Sequence, residues 1–421
     1  MANADRGEEK LVTSSAEQLA QWAHDYTPTE EDEALARRSL RDTLGVVLAA
    51  RQDPLRRIAD DLSDTARWAT LGHVLSFDDL HMPSTTHISA VCVSAVLATG
   101  GGARAYLGAA GVMARLGTAL GWSHYTSGWH ATCTAGAPAA AVGAALSLGL
   151  DPRQTAEAIA LAVPAAGGVQ RAFGTAAKAL QVGFAAEAGV RAARLVAAGA
   201  DADPRALDQW LGLIGGDPSA LDFSGPAVPG GLAVKIFPCC YSMQRPIGAI
   251  RQMLAEAPLE SKIERIHVST PRSTVRPLVY HRPRTGLEGK LSLEYAIAAA
   301  LLDGNPGFDS FTTEAVTRLA ADELVDRTTA ELTEGGAGLL DGDVRVVLEL
   351  SDGTSRSAVM ALPPGSPTRP PTEDDLRAKL LSCGPDVLEL LTDLDWSSAA
   401  VLLRSQLNTE ASSEAPAGGN I

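Results

Sequence analysis

The stretch "SKIERIHVST", residues 261–270, decides the fold. Ile263, Ile266 and Val268 stand among polar residues, as in a half-buried strand. Upstream of it the chain reads as helix after helix. "TPTEEDEALARRSLRDTLGVVLAA" (27–50) offers Thr27 as N-cap, Pro28 at N1 and Glu30 at N3, with Leu35, Leu40, Leu44 and Leu48 near helical spacing. Asp151, Pro152 and Gln154 repeat the device, and Asp203 with Pro204 repeats it again. "AGAPAAAVGAALSLGL" (135–150) and "VGFAAEAGVRAARLVAAG" (182–199) are small-residue helices suited to burial, because Ala and Gly let helix axes approach. From about 213 to 234 the pattern dissolves into a long Gly- and Pro-rich loop, and such loops are often functional.

Downstream the texture is mixed. Two helical stretches, 290–303 and 311–322, precede "DVRVVLELSDGTSRSAVMAL" (343–362), a hairpin with Asp352-Gly353 in its turn. "GSPTRPPTEDDLRAKLLS" (365–382) links back to helix, with Thr372 as N-cap and Asp375 at N3, and a last helix falls near 394–406. The expected fold is therefore mostly α: a large all-helical bundle (1–258), a smaller α+β lid (259–371), a return to the helical domain (372–408) and a disordered tail (409–421).

Composition narrows the function. The chain has 421 residues, 46% of them hydrophobic but only 5% aromatic, so much of the core must be Ala, Leu and Val. Its formal net charge of −15 and the lack of any basic block argue against a nucleic-acid partner. No apolar run is long enough for a membrane span, and "MANADRGEEKLV" lacks a signal core, so a cytoplasmic setting is expected. The five cysteines make neither a disulfide framework nor a CxxC metal pattern, and the adjacent Cys239 and Cys240 are expected to be buried thiols.

Five segments concentrate polar groups among apolar ones. "LSFDDLHMPSTTHIS" (75–89) holds Asp78, Asp79, His81 and His87. These are metal-ligand types, but HExxH is absent and the spacing matches no standard geometry, so no metal is expected. "TSGWHATCTAGAP" (126–138) sets His130 at a helix start, either as a satisfied cap residue or beside backbone N–H groups that hold a carboxylate. Lys178 is the lone charge between Arg171 and Glu187, either snorkelling or buried for a purpose. "GLAVKIFPCCYSMQRPIGAI" (231–250) contributes Lys235 and Arg245. Tyr295 opens an apolar helix, its hydroxyl either a core hydrogen bond or a proton donor. GxGxxG and GxSxG are absent, which removes the dinucleotide and α/β-hydrolase readings.

Taken in order, "FDDLHMPSTTHIS", "GWHATCTAG", "KALQVGFAAEAG", "VKIFPCC" and "LSLEYAIAAALLDG" resemble the MmgE/PrpD family, and "RSLRDTLGVVLAA" is similar to its first helix. The family includes 2-methylcitrate dehydratase, cis-aconitate decarboxylase and iminodisuccinate epimerase. The resemblance implies a homodimer acting without metal or other cofactor on a small carboxylate, by proton transfer next to a carboxylate group. It places His87, His130, Lys178, Lys235 and Tyr295 at active-site positions and Asp78 and Asp79 in an acidic loop. His81, Gln181 and Arg245 are further substrate-binding candidates, not carried by the resemblance. His87 is the expected proton-transfer residue, with His130 as its partner or a carboxylate ligand. The lysines would neutralise the extra charge of the aci-carboxylate.

Two positions depart from the family pattern. Ser76 stands where members often have Asp, and Gln181 where many have His. A dehydratase-type lyase is the leading expectation. A decarboxylase, an epimerase or isomerase, and a non-catalytic carboxylate-binding protein are the alternatives.

Overall fold

The computed structural model describes residues 13–334 and 338–408. The expected disordered tail, 409–421, lies outside the described residues. Helices dominate, with one four-stranded sheet among the described residues.

The sheet consists of β1 (Ile263–Pro271), β2 (Thr328–Thr333), β3 (Val344–Leu350) and β4 (Ser355–Met360), in the order β2-β1-β3-β4. β1 runs parallel to β2 and antiparallel to β3, and β3–β4 is the expected hairpin. The uneven spacing of Ile263, Ile266 and Val268 has a physical cause. The register slips between Ile263 and Arg265, so Glu264 is an extra residue that returns Ile266 and Val268 to the buried face. β2 escapes the sequence pattern because it is an edge strand with little burial on either face, "TTAELT".

Among the described residues two large hydrophobic cores result, with a small third cluster of Leu80, Ala233, Tyr241 and Leu339. The larger joins the N-terminal helices to Leu380, Val387, Leu391, Leu403 and Leu407 near the end of the chain. At its centre the helices Ala131–Ser147 and Ala177–Ala197 touch backbone to backbone: a Cβ on Gly189 would lie 2.4 Å from the carbonyl oxygen of Ala137. The second core joins the inner face of the sheet to the helices Tyr241–Glu256 and Leu293–Asp303, the latter packed on the former. The first of these precedes residue 259, where the sequence texture changes, yet packs on β3 and β4.

Capping follows the sequence at two helices and shifts at two. Asp151–Gln154 and Thr372–Asp375 form capping boxes. The long helix Glu30–Ala49 starts at Thr29 rather than Thr27, because the Asp32 carboxylate at N3 also binds Tyr26 Oη (2.5 Å) and the Ala227 amide (3.0 Å), fixing the cap by tertiary contact. Asp203 spends its carboxylate on Arg205, and the helix begins only at Ala206.

Candidate active site

The segment Leu75–His87 is irregular and almost wholly buried. Two features hold it. Leu80 exchanges two backbone hydrogen bonds with Ala233 (2.9 and 2.8 Å), which docks the long loop 213–234 beside it. Lysines then grip three successive carbonyls. Lys290 Nζ donates to Leu75 O (3.1 Å), Lys235 Nζ to Ser76 O (3.0 Å) and Lys379 Nζ to Phe77 O (2.8 Å). Ser76 itself adopts φ +55°, in the left-handed region that few non-glycine residues occupy, and this turns adjacent peptide groups toward different lysines.

Asp78 is the hub. Its Oδ2 lies 2.6 Å from His73 Nδ1 and 3.1 Å from His87 Nδ1, and its Oδ1 is 3.6 Å from Lys235 Nζ. His73 Nε2 in turn lies 2.7 Å from Lys178 Nζ. Burial opposes ionisation of Asp78, but His73, His87 and Lys235 outweigh it and hold the carboxyl well below its ordinary range. Burial pushes His73 down to about 3, against the pull of Asp78, and lowers His87 as well. Both histidines are therefore neutral near pH 7.

The hydrogen bonds fix the tautomers. His87 Nδ1 faces the Asp79 carbonyl at 2.7 Å, which can only accept, so the ring proton sits on Nδ1 and Nε2 carries a lone pair. His130 is set the opposite way. The Val169 amide donates to Gln181 Oε1 (3.0 Å), which orients the side-chain amide so that Gln181 Nε2 donates to His130 Nδ1 (2.6 Å). The proton of neutral His130 is then on Nε2. Burial holds this imidazole well below its ordinary pKa, with His73 and Lys178 adding to the effect.

His87 and His130 each stand at the N-cap, before the helices Ile88–Ala98 and Ala131–Ser147, with nearly the same backbone angles. Lys178 lies in the first turn of Ala177–Ala197. Three helix N-termini thus meet at one pocket, and their dipoles favour an anion there. The pocket spans about 490 Å³ when space open to solvent is included. His87, His130, Lys178 and Lys235 line it from the helical side, and Tyr241, Leu291 and Leu339 from the other. Gly174 (φ +84°) permits the closure, since a Cβ there would fall 2.2 Å from Tyr280 Oη, which itself donates to Phe173 O (3.1 Å).

The remaining sequence candidates do other work. Tyr295 is buried in the second core, where its hydroxyl donates to Ser310 O, away from the pocket. Tyr125 and Tyr241 line the pocket instead. Arg245 is a structural clamp, donating to Leu340 O (3.1 Å), Gly342 O (2.6 Å) and Thr274 Oγ1, and so holding the segment that carries Leu339. His81 lies between Pro229 O (2.6 Å) and Ser84 Oγ (2.7 Å) and ties the two loops together. Asp79 accepts from the Ser89 amide (3.1 Å) and hydroxyl. Burial raises its carboxyl to about 7, with the Ser89 bonds opposing. Gln181 orients His130 from behind. Of the adjacent cysteines, Cys239 is buried, whereas Cys240 reaches the pocket wall.

Besides Lys379, two residues of this network escaped the sequence reading. His73 sits in the last turn of an apolar helix, five positions before Asp78, and Lys290 lies five positions before the tyrosine that drew notice. Lys290 stands between Glu288 and Glu294, so the lone-charge signal that found Lys178 does not mark it, and His73 reads as one more polar residue near a helix end.

His73, Asp78 and His87 converge closely enough to suggest cation ligands. The donor set fits poorly. Lys235 faces the same carboxylate, Lys178 occupies His73 Nε2, and two ammonium groups at the mouth repel a cation.

Comparison with known proteins agrees with this architecture. The family model for the MmgE/PrpD N-terminal domain matches residues 63–215, and that for the MmgE/PrpD C-terminal domain matches 237–393. The chain belongs to the MmgE/PrpD family. The first match spans the helices that carry His73 to Lys178, the second the whole of the sheet. Among curated MmgE/PrpD-related proteins, the cis-aconitate decarboxylase-like protein oryM of Aspergillus oryzae is 28% identical over 303 residues, covering 65% of this chain and 62% of its own length. Cis-aconitate decarboxylase of Aspergillus terreus is 27% identical over 291 residues, covering 62% of this chain and 59% of its own. The chain thus spans less than two thirds of the length of these relatives.

Proposed function

We propose that the protein is a cofactor-independent lyase of the dehydratase type that acts on a small polycarboxylate. The observation that carries this reading is the complementary pair of histidines. His87 presents a bare Nε2 and His130 an Nε2–H at one pocket, so a base and an acid are set at the same pH without either being charged.

The substrate carboxylate lies against Lys178 and Lys235. His87 Nε2 removes a proton from the adjacent carbon, and the imidazolium that forms is stabilised by Asp78. Charge passes into the carboxylate as the aci form, where the lysine ammonium groups and helix N-termini offset it. His130 Nε2–H protonates the departing hydroxyl, which leaves as water, while the carbon–carbon double bond forms.

Decarboxylation is a second reading, favoured by the printed names of the curated relatives. There His130 would deliver its proton to carbon as CO2 leaves. Pairing of two chains belongs to the same proposal, and a single-chain mass in sedimentation at micromolar concentration contradicts it.

The deciding experiment incubates the protein with di- and tricarboxylates in D2O and follows them by NMR. Loss of water with deuterium at the neighbouring carbon supports the lyase, and CO2 release supports the decarboxylase. Tight binding with neither exchange nor turnover across the panel removes both.

A further inference from the structure

Behind the buried segment lies another cavity. Neighbouring residues divide between the two: Ser76 and Lys235 line the pocket described above, whereas Phe77 and Ile236 line the other. Two adjacent pairs of residues therefore form part of the wall between them. The volume of the rear cavity is about 160 Å³, close to the roughly 150 Å³ that accommodates a benzene ring.

Its apolar side is aromatic. Phe77 and Phe308 meet edge to face there, with ring centroids 5.4 Å apart. Its polar side carries two charged groups of opposite sign with unused hydrogen-bonding capacity. Arg251, on the helix Tyr241–Glu256, lies over the Phe237 ring at 5.3 Å and has no hydrogen bond or ion pair among the described residues. Asp375, on the helix Glu373–Ser382, uses only Oδ2, which accepts from the Thr372 amide (2.9 Å) and hydroxyl (2.8 Å). Burial lowers the guanidinium pKa and the Asp375 charge opposes this, although the two groups do not reach ion-pair distance. A simple carboxylate here would satisfy Arg251 but be repelled by Asp375, and an amine would meet the converse. A zwitterion satisfies both.

We propose that the rear cavity is a regulatory site for a free α-amino acid with an aromatic side chain. The ligand carboxylate pairs with Arg251, its ammonium group with Asp375, and its ring packs on Phe77 and Phe308. Occupancy is transmitted to the first pocket by a short route. Lys379 holds Phe77 O, and the next residue, Asp78, holds His73 and His87. The site stands whether or not the lyase reading does.

The test is calorimetric titration of the full chain at pH 7 with L-phenylalanine, phenylacetate and phenethylamine. L-Phenylalanine is expected to bind at least about tenfold more tightly than either analogue. Arg251→Gln should remove its advantage over phenethylamine, and Asp375→Asn its advantage over phenylacetate. Because Asp375 also caps its helix, Ala378→Phe supplies a further variant on the exposed rim, which should fill the cavity and abolish binding of all three. Saturating L-phenylalanine should also shift the imidazole nitrogen resonances of His87, identified by their loss in His87→Gln.

No binding of L-phenylalanine at millimolar concentration, equal affinity for the three probes, or wild-type affinity in Arg251→Gln and Ala378→Phe overturns the site. Binding that leaves the His87 resonances unmoved overturns its regulatory role.

Discussion

At the scale of single residues, the site is a set of neutral imidazoles whose protons are assigned by groups that cannot reverse their roles. The Asp79 carbonyl can only accept and the Val169 amide can only donate, so His87 and His130 are driven to opposite tautomers. His87→Gln is expected to lower kcat by roughly 10²–10⁴-fold with an unchanged melting curve, measured on the substrate that the D2O panel identifies. Gln181→Glu replaces the donor at His130 Nδ1 with a carboxylate, which draws the ring proton to Nδ1 and raises the imidazole pKa. Its expected signature is a fall in kcat with little change in KM and a displaced acid limb of the pH profile. Gln181→Ala should lose activity without moving that limb.

Lys178 sets the alkaline side. Burial lowers it to about 8, so its ammonium is present below that pH and is lost as pH rises through it. kcat/KM should therefore decline above about pH 8, and Lys178→Arg should move the decline upward. The acid limb should lie below 6.5, because burial lowers His87 from that value.

At the scale of elements, what matters is which ends of helices and strands meet the pocket. The helix start at Ala131 was legible, because His130 stands just before a small-residue run, whereas the start at Ile88 was not read from the sequence. The role of Tyr295 was not. An apolar helix that starts with Tyr looks the same whether its hydroxyl meets substrate or a core carbonyl, and only the fold supplies Ser310 O. Tyr295→Phe should cost about 1–3 kcal/mol of stability by leaving that carbonyl unpaired, with kcat close to wild type. Equal losses of kcat and kcat/KM at full stability would return the tyrosine to the reaction. β2 was hidden for a different reason: an exposed edge strand needs no alternation, and its pairing is set by β1. His73 and Lys290 were hidden because their meaning is relational. Each is an unremarkable polar residue until Asp78, Lys178 and Leu75 come together.

At the scale of the whole molecule, side chains from far apart in sequence complete the pocket. Lys379 illustrates the energetics. It is buried, paired with Asp42 at 2.7 Å, and bonded to Phe77 O. Lys379→Met leaves Asp42 without its partner and should cost about 3–5 kcal/mol, read as a lowered denaturation midpoint. Adding Asp42→Asn should recover much of that stability but not the activity, since Phe77 O remains unheld. The three-lysine grip has a consequence in time. The carbonyls of Leu75, Ser76 and Phe77 emerge early in synthesis, while their donors arrive at residues 290, 235 and 379. A nascent chain can bury its first helices long before residue 379 is made, but it cannot set the histidines until then. Under the proposed lyase reading, turnover would thus begin only when nearly the whole described chain has been translated.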